Sequence, residues 1–238
     1  MDYSQAIIFI LMPLAGYLLG SIPFAWIIAH AHGIDLRQAG SKNIGATNLA
    51  RVLGTKYFFI AFLLDAAKGF VPVLTAALLV SFWNHRAAAD VLPPWSPLLT
   101  ALTAVLGHLF PVWLKFKGGK GVATGFGVVV GFWPLYTVAG LMALGVFALT
   151  LMAFRYISVS SMSSATSFAI FVVILGCNHS PALLVDTYLQ PAERPVLFAA
   201  AWLLAIIIVL KHRGNISRLL HGTEVTVGYR ETVKTKSN

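Results

Sequence analysis

Three stretches of the 238-residue chain combine small, hydroxylated, amide and basic side chains in patterns suited to holding an oxyanion. The first, Gly40-Ser41-Lys42-Asn43-Ile44-Gly45-Ala46-Thr47-Asn48, runs on into Leu49-Ala50-Arg51. Its small residues let backbone N–H groups approach a ligand, and Ser41, Thr47 and Asn48 offer neutral hydrogen bonds to phosphate or hydroxyl oxygens beside the Arg51 guanidinium. A solvated connector needs no such run. The second, Lys115-Phe116-Lys117-Gly118-Gly119-Lys120-Gly121-Val122-Ala123-Thr124, leads straight into an apolar segment. A glycine-rich loop opening a helix, with a lysine in it, is an anion cradle built from backbone donors and the helix dipole. It is not a nucleotide-binding P-loop, which requires glycine at position 114 and Ser or Thr after Lys120, where the chain has Leu114 and Gly121. Lysines placed only to fix topology would explain Lys115, Lys117 and Lys120 but not the glycines between them. The third, Lys211-His212-Arg213-Gly214-Asn215-Ile216-Ser217-Arg218 with Gly222-Thr223-Glu224, puts His212 and Asn215 on one face if a helix continues through them.

Single residues carry less. His108, just before the second loop, reads as a packing or hydrogen-bonding residue before it reads as a base. Asp65 and Lys68 lie one turn apart inside an apolar segment, where charge is costly and mutual pairing is expected. Cys177 is the sole cysteine, which excludes an intramolecular disulfide, a cysteine-based zinc site and an iron–sulfur cluster. The cytoplasmic loops hold no carboxylate cluster for a metal, so neither metal nor cofactor is expected.

The elements that position these clusters are apolar. The chain is 58% hydrophobic and only 11% charged, with a mean hydropathy of +0.81, so water is not its main solvent. Its net charge of +9 is carried by few residues and reads as a membrane-orienting bias rather than a nucleic-acid footprint. Runs able to cross about 30 Å of hydrocarbon cover Ala6 to Ala29, Tyr57 to Phe82, Ser96 to Leu114, Val122 to Phe154, Ile157 to Gly176 and Val196 to Leu210. The first is expected to stay in the bilayer, being longer than the core of a signal peptide. The fourth is long enough for two helices turning near Phe132 to Leu135, where Pro134 follows Gly131.

Charge favours the turn. With seven spans, all of the 17 lysines and arginines except Arg86, Arg194 and the intrahelical Lys68 fall on one face, including Arg155 and the tail residues Arg230, Lys234 and Lys236. With six, Arg155 and the tail cross to the other side. The expectation is therefore an all-α integral membrane protein of seven transmembrane helices, amino terminus outside and carboxyl terminus in the cytoplasm. Trp83, Trp95 and Trp133 then lie near the outer interface, and Trp26 and Trp113 near the inner one. Gly16 and Gly20, like Gly127 and Gly131, have the spacing of close helix packing. No internal repeat points to an inverted-repeat transporter.

Taken together, the three polar stretches closely resemble the motifs of the PlsY-type bacterial glycerol-3-phosphate acyltransferases. The resemblance includes Gly107-His108 with Pro111 and the opening Gly20-Ser21-Ile22-Pro23-Phe24, and runs in order to about Glu224. It implies a single membrane-embedded acyltransferase domain over 1–238, with 225–238 as a cytoplasmic tail. It implies a multi-pass enzyme of the bacterial inner membrane, its active site facing the cytoplasm, acting in phospholipid biosynthesis. The implied reaction moves a fatty acyl group from acyl phosphate to the 1-hydroxyl of glycerol 3-phosphate, giving lysophosphatidic acid and inorganic phosphate. The implied partners are those two substrates and membrane lipid, with no nucleic acid, on a monomer.

Carried over by motif, the catalytic residues are Ser41, Arg51, Lys120, His212 and Asn215. The substrate-binding residues are Thr47, Asn48, Gly118, Gly119, Gly121 and Thr124, and Glu224 matches a structural acidic residue. The resemblance favours direct transfer, with a substrate phosphate oxygen taking the hydroxyl proton; His212 as base is the alternative, and an acylated Ser41 is a distant third. His30 and Asp35 fit the His-to-Asp spacing of another acyltransferase class, but nothing else of that class accompanies them. A phosphate-ester transporter would need polar residues along a path to the outer face, whereas the last three spans contain few central ionisable groups. A lipid phosphatase would need no acyl acceptor.

Overall fold

The computed structural model describes residues 2–87, 91–177 and 191–228, and these fold as helices alone. The tail residues Arg230, Lys234 and Lys236 lie outside the described residues. The helices are α1 (Tyr3–Ala6), α2 (Met12–Gly20), α3 (Phe24–Ala31), α4 (Ala46–Leu53), α5 (Thr55–Ala87), α6 (Pro97–Leu109), α7 (Val122–Gly131), α8 (Leu135–Phe154), α9 (Ile157–Cys177), α10 (Arg194–Lys211) and α11 (Arg213–Leu220), with a π-helical segment Ile7–Leu11 joining α1 to α2. Among the described residues six helical stretches are long and apolar enough to span a bilayer. Side chains such as Leu63, Leu149 and Met152, at 64%, 67% and 79% exposure, form the apolar outer surface. With no water in the hydrocarbon to satisfy backbone groups, helices are the element such a sequence can use.

The long apolar stretch does fold back on itself. It breaks after Gly131 into α7 and α8, with Phe132, Trp133 and Pro134 between them. Val227 N–H donates to the Arg155 carbonyl at 2.8 Å, and Ser158 bonds to Glu224, so the α8–α9 turn returns to the end that holds the third polar cluster. The first of the pair is short: α7 has 10 residues, about 15 Å of helix.

The opening apolar run is not one helix. Pro23 has no N–H to give and restricts Ile22, and the chain breaks between α2 and α3. The Ile22 carbonyl released by this break accepts a hydrogen bond from Lys68 Nζ of α5 at 2.7 Å.

Small residues set the helix contacts. A Cβ on Gly20 would lie 2.2 Å from the Ala104 carbonyl, and one on Gly107 would lie 2.3 Å from that of Tyr17, so α2 and α6 touch backbone to backbone. Gly127 and Gly69 do the same for α7 against α5, at 1.9 Å from the Ala66 carbonyl and 2.3 Å from that of Thr124. The main apolar core lies among α6 to α10, around Phe132, Leu135, Tyr136, Phe168 and Leu197. A second cluster, with Ala25, Leu36, Ile44, Leu49 and Leu114, seats α3 and α4 beneath the first polar loop.

Candidate active site

The three polar stretches, distant in sequence, converge on one cavity of about 400 Å³. Ser41, Thr47, Asn48 and Arg51 reach it from the first loop and α4, Lys120 and Gly121 from the second loop, and His212, Asn215 and Glu224 from the third. The size is typical of small-molecule sites, about 300–1,000 Å³. The polar residues gather at one end. Most of the remaining wall is aromatic and aliphatic, with Phe58, Phe62 and Leu63 of α5, Phe126 of α7, Leu144 and Phe147 of α8, and Ile208 of α10.

The third motif is folded by Gly222, whose φ of +68° turns the chain back after α11. The Thr223 N–H then donates to the Arg218 carbonyl at 2.8 Å, which swings Glu224 against the helix it has just left. There the buried carboxylate accepts from three donors: Asn215 Nδ2 at 2.6 Å, Ser158 Oγ at 2.8 Å and Arg218 Nε at 2.7 Å. Asn215 in turn accepts on Oδ1 from Lys120 Nζ. A chain Arg218–Glu224–Asn215–Lys120 thus fixes the ammonium. Burial opposes ionisation of Glu224, but the bonds from Asn215, Ser158 and Arg218 outweigh it and hold the carboxyl below its ordinary range.

Burial pushes Lys120 down to about 8, with Arg218 and Arg51 pushing the same way and Glu224 opposing them. His212 caps the end of α10 and donates from Nδ1 to the Ile208 carbonyl at 2.8 Å. A carbonyl can only accept, so Nδ1 carries the hydrogen and Nε2 keeps its lone pair. Burial, then the Lys120 charge, pushes His212 down to about 4, leaving it neutral at physiological pH.

Several of the expected ligands are engaged within the protein. Asn48 donates from Nδ2 to the carbonyls of Leu36, Ala39 and Asn43, at 3.3, 3.0 and 2.8 Å, and accepts the Ser41 N–H on Oδ1 at 2.8 Å. Its amide shapes the loop and holds the Ser41 backbone. The Gly118 and Gly119 N–H groups donate to the carbonyls of Leu109 and His108, each at 3.1 Å. A Cβ on Gly118 would fall 2.1 Å from the His108 carbonyl. These two glycines press the loop onto the end of α6, and their amides are already used. Thr124 is fully buried and lies off the cavity wall, against Gly69 of α5.

Backbone donors open to the cavity lie one step further along the chain. Gly121, at φ +83°, turns the loop into α7, and no side chain caps that helix start. Gly121, Val122 and Ala123 line the cavity beside Lys120, so the first amides of α7 and the lysine border the same space.

Sequence reasoning missed Ser158 in this cavity wall, and singled out Asp65 and His108, which also line it, without assigning them to the site. For Ser158 a signal existed in the hydroxyl-rich start of α9, Ser158-Val159-Ser160-Ser161, which no spanning helix needs for its own stability.

Known proteins resemble this chain over nearly its whole length. A profile of the glycerol-3-phosphate acyltransferase family matches residues 10–222. A glycerol-3-phosphate acyltransferase of Desulfotalea psychrophila is 40% identical over 214 residues, which cover 90% of this chain and 95% of that one. Among crystal structures, the glycerol 3-phosphate form of PlsY, an integral membrane glycerol 3-phosphate acyltransferase, superposes with a TM-score of 0.72 at 35% identity, covering 92% of this chain and 94% of that one. The lysophosphatidic acid form gives 0.70 at 34% identity, covering 92% and 95%. An all-α bundle with a polar cavity end, matched over nearly its whole length, defines a multi-pass membrane acyltransferase. The chain belongs to the glycerol-3-phosphate acyltransferase family, in its PlsY-type integral membrane branch.

Proposed function

We propose that the chain moves a fatty acyl group from acyl phosphate to the 1-hydroxyl of glycerol 3-phosphate, releasing lysophosphatidic acid and inorganic phosphate. It acts as a single domain of seven spans in the bacterial inner membrane, amino terminus outside, with the site facing the cytoplasm. One observation carries the reading: a single cavity joins Lys120, Arg51 and the uncapped start of α7 at its polar end to an apolar wall of α5, α8 and α10 side chains. An anionic head on a long hydrocarbon chain matches both halves. The solved PlsY forms with glycerol 3-phosphate and with lysophosphatidic acid support the acceptor and the product. The orientation is supported by the basic residues, since Arg51, Lys120, Arg155 and Arg218 all lie at the site's end of the bundle.

An acyl phosphate is already an activated mixed anhydride, so catalysis needs alignment, proton removal and stabilisation of the leaving phosphate. The first amides of α7 with Lys120 hold that phosphate. Ser41, Thr47 and Arg51, which line the same cavity, orient the phosphate of the acceptor, while Asn215 keeps Lys120 in place. His212 Nε2 accepts a hydrogen bond from the attacking hydroxyl. Pushed down to about 4, it is a poor store for a proton at neutral pH, so the proton passes to a phosphate oxygen. The hydroxyl oxygen bonds to the acyl carbon, the bond from that carbon to the phosphate oxygen breaks, and phosphate leaves with the proton.

The test is lysophosphatidic acid formation by purified protein from labelled glycerol 3-phosphate, with palmitoyl phosphate or palmitoyl-CoA as donor. Product from the acyl phosphate alone, abolished by Lys120→Ala, is expected. Product from the thioester alone refutes the donor assignment. His212→Ala is expected to raise KM with measurable turnover remaining, and loss of all but a trace of kcat would identify it as the base.

A further inference from the structure

Asp65, Lys68 and His108 stand in or behind the cavity wall and take no part in the chemistry above. All three are buried, at 2%, 6% and 8% exposure. Lys68 Nζ lies 2.7 Å from Asp65 Oδ1 and also donates to the Ile22 carbonyl at 2.7 Å, which ties α5 to the break between α2 and α3. Asp65 Oδ1 is 3.8 Å from His108 Nδ1. That is beyond a hydrogen bond, but in a buried site a carboxylate at this distance still selects which edge of the ring faces it.

The other edge of the ring faces the glycine loop. A Cβ on Gly119 would come within 2.2 Å of His108 Nε2, and the Gly119 N–H donates to the His108 carbonyl at 3.1 Å. The next residue is Lys120. Asp65 and His108 both border the cavity, where a bare carboxylate would repel phosphate. Lys68 removes that repulsion and lets the carboxylate act on the histidine.

We propose that Asp65, compensated by Lys68, is a positioning residue that works through His108 to seat the Gly118–Gly121 loop, and with it Lys120 and the start of α7, against the bound phosphate. This rests on the reading of Lys120 as a phosphate ligand. A merely structural ion pair would hold α5 to α2 and α3 without regard to the loop, and the two roles separate in a double-mutant cycle.

The test combines Asp65→Asn, which keeps shape and removes charge, with His108→Gln, singly and together. The readouts are calorimetric affinity for inorganic phosphate, which needs no turnover, kcat with palmitoyl phosphate, and melting temperature. With His108 present, Asp65→Asn is expected to weaken phosphate binding about tenfold and to lower kcat similarly; it also lowers the melting temperature, because Lys68 is left buried without its counter-charge. In the His108→Gln background the same change should cost less than about twofold, because the ring it acts through is gone. Equal losses in both backgrounds, or a lower melting temperature with unchanged phosphate affinity, overturn the proposal. Asp65→Ser, run in parallel, carries the same cycle if the asparagine variant does not fold. Lys120→Ala distinguishes the two readings: unchanged phosphate affinity there refutes Lys120 as the ligand, whereas lost affinity with an additive Asp65–His108 cycle refutes the positioning role alone.

Discussion

Changing Glu224 to Gln removes one charge and almost no volume, and the geometry around it sets the consequence. The carboxylate serves donors only, with Asn215 and Ser158 on Oε1 and Arg218 on Oε2. Glutamine has one oxygen to offer. If its nitrogen takes the Oε2 place, it meets the Arg218 Nε–H donor to donor. If it takes the Oε1 place it meets Asn215 Nδ2, and Asn215 can recover a bond only by turning its own nitrogen toward the Lys120 ammonium. Either arrangement forfeits at least one hydrogen bond to a charged group, about 1.5–3 kcal/mol, and the second also releases Lys120. The Glu224 charge favours protonated Lys120, so the variant's lysine titrates below the wild-type value of about 8. A lysine binds phosphate only while protonated. The wild-type kcat/KM for glycerol 3-phosphate is therefore expected to fall as pH rises through about 8, and the Glu224→Gln limb to begin at lower pH. Initial rates between about pH 6.5 and 9.5 with saturating palmitoyl phosphate, together with melting temperatures, measure both effects. Coincident limbs and equal melting temperatures would refute the carboxylate as the support of the lysine's charge.

Two further substitutions test the residues whose work proved structural. Gly118→Ala places a Cβ 2.1 Å from the His108 carbonyl, which forces the loop to move; a shift of about 1 Å at Lys120 corresponds to roughly 100-fold in kcat, while a variant within twofold of wild type would show that the loop has slack. Asn48→Ala leaves buried carbonyls of the first loop without a donor, about 1–3 kcal/mol for even one, so a lower melting temperature and a raised KM should appear together. A raised KM with unchanged melting temperature would make Asn48 a direct ligand after all.

Much of this molecule is legible in its sequence because membranes simplify the code. Apolar length marks the helices, and Pro134 after Gly131 marks the turn between α7 and α8. Lysines and arginines mark one end. The three polar clusters were legible too, since nothing about spanning a bilayer explains Gly118, Gly119 or Asn48. What each residue does within its cluster was not. Asn48 looks like a ligand until the carbonyls of Leu36, Ala39 and Asn43 are seen to surround it. Gly118 and Gly119 look like free donors until the end of α6 is brought under them. Ser158 meets Glu224 across 66 positions, and Lys68 meets Ile22 across 46. Hydrogen-bond accounting is a property of the folded chain, and a local pattern shows only which groups need partners.

Phe59 and Leu63 line the cavity and are also 58% and 64% exposed on the apolar outer surface. The apolar wall of the cavity thus reaches the outer surface of the bundle. The two substrates are then counted in different units. Glycerol 3-phosphate arrives from a volume, and its relevant concentration is molar. The acyl phosphate of the proposed reaction is amphiphilic and would arrive by diffusion in a plane, where the relevant concentration is a mole fraction of the lipid around the protein. Adding inert lipid or detergent at fixed total donor should slow the enzyme by surface dilution alone, while diluting the water phase at fixed glycerol 3-phosphate concentration should leave the rate per enzyme unchanged.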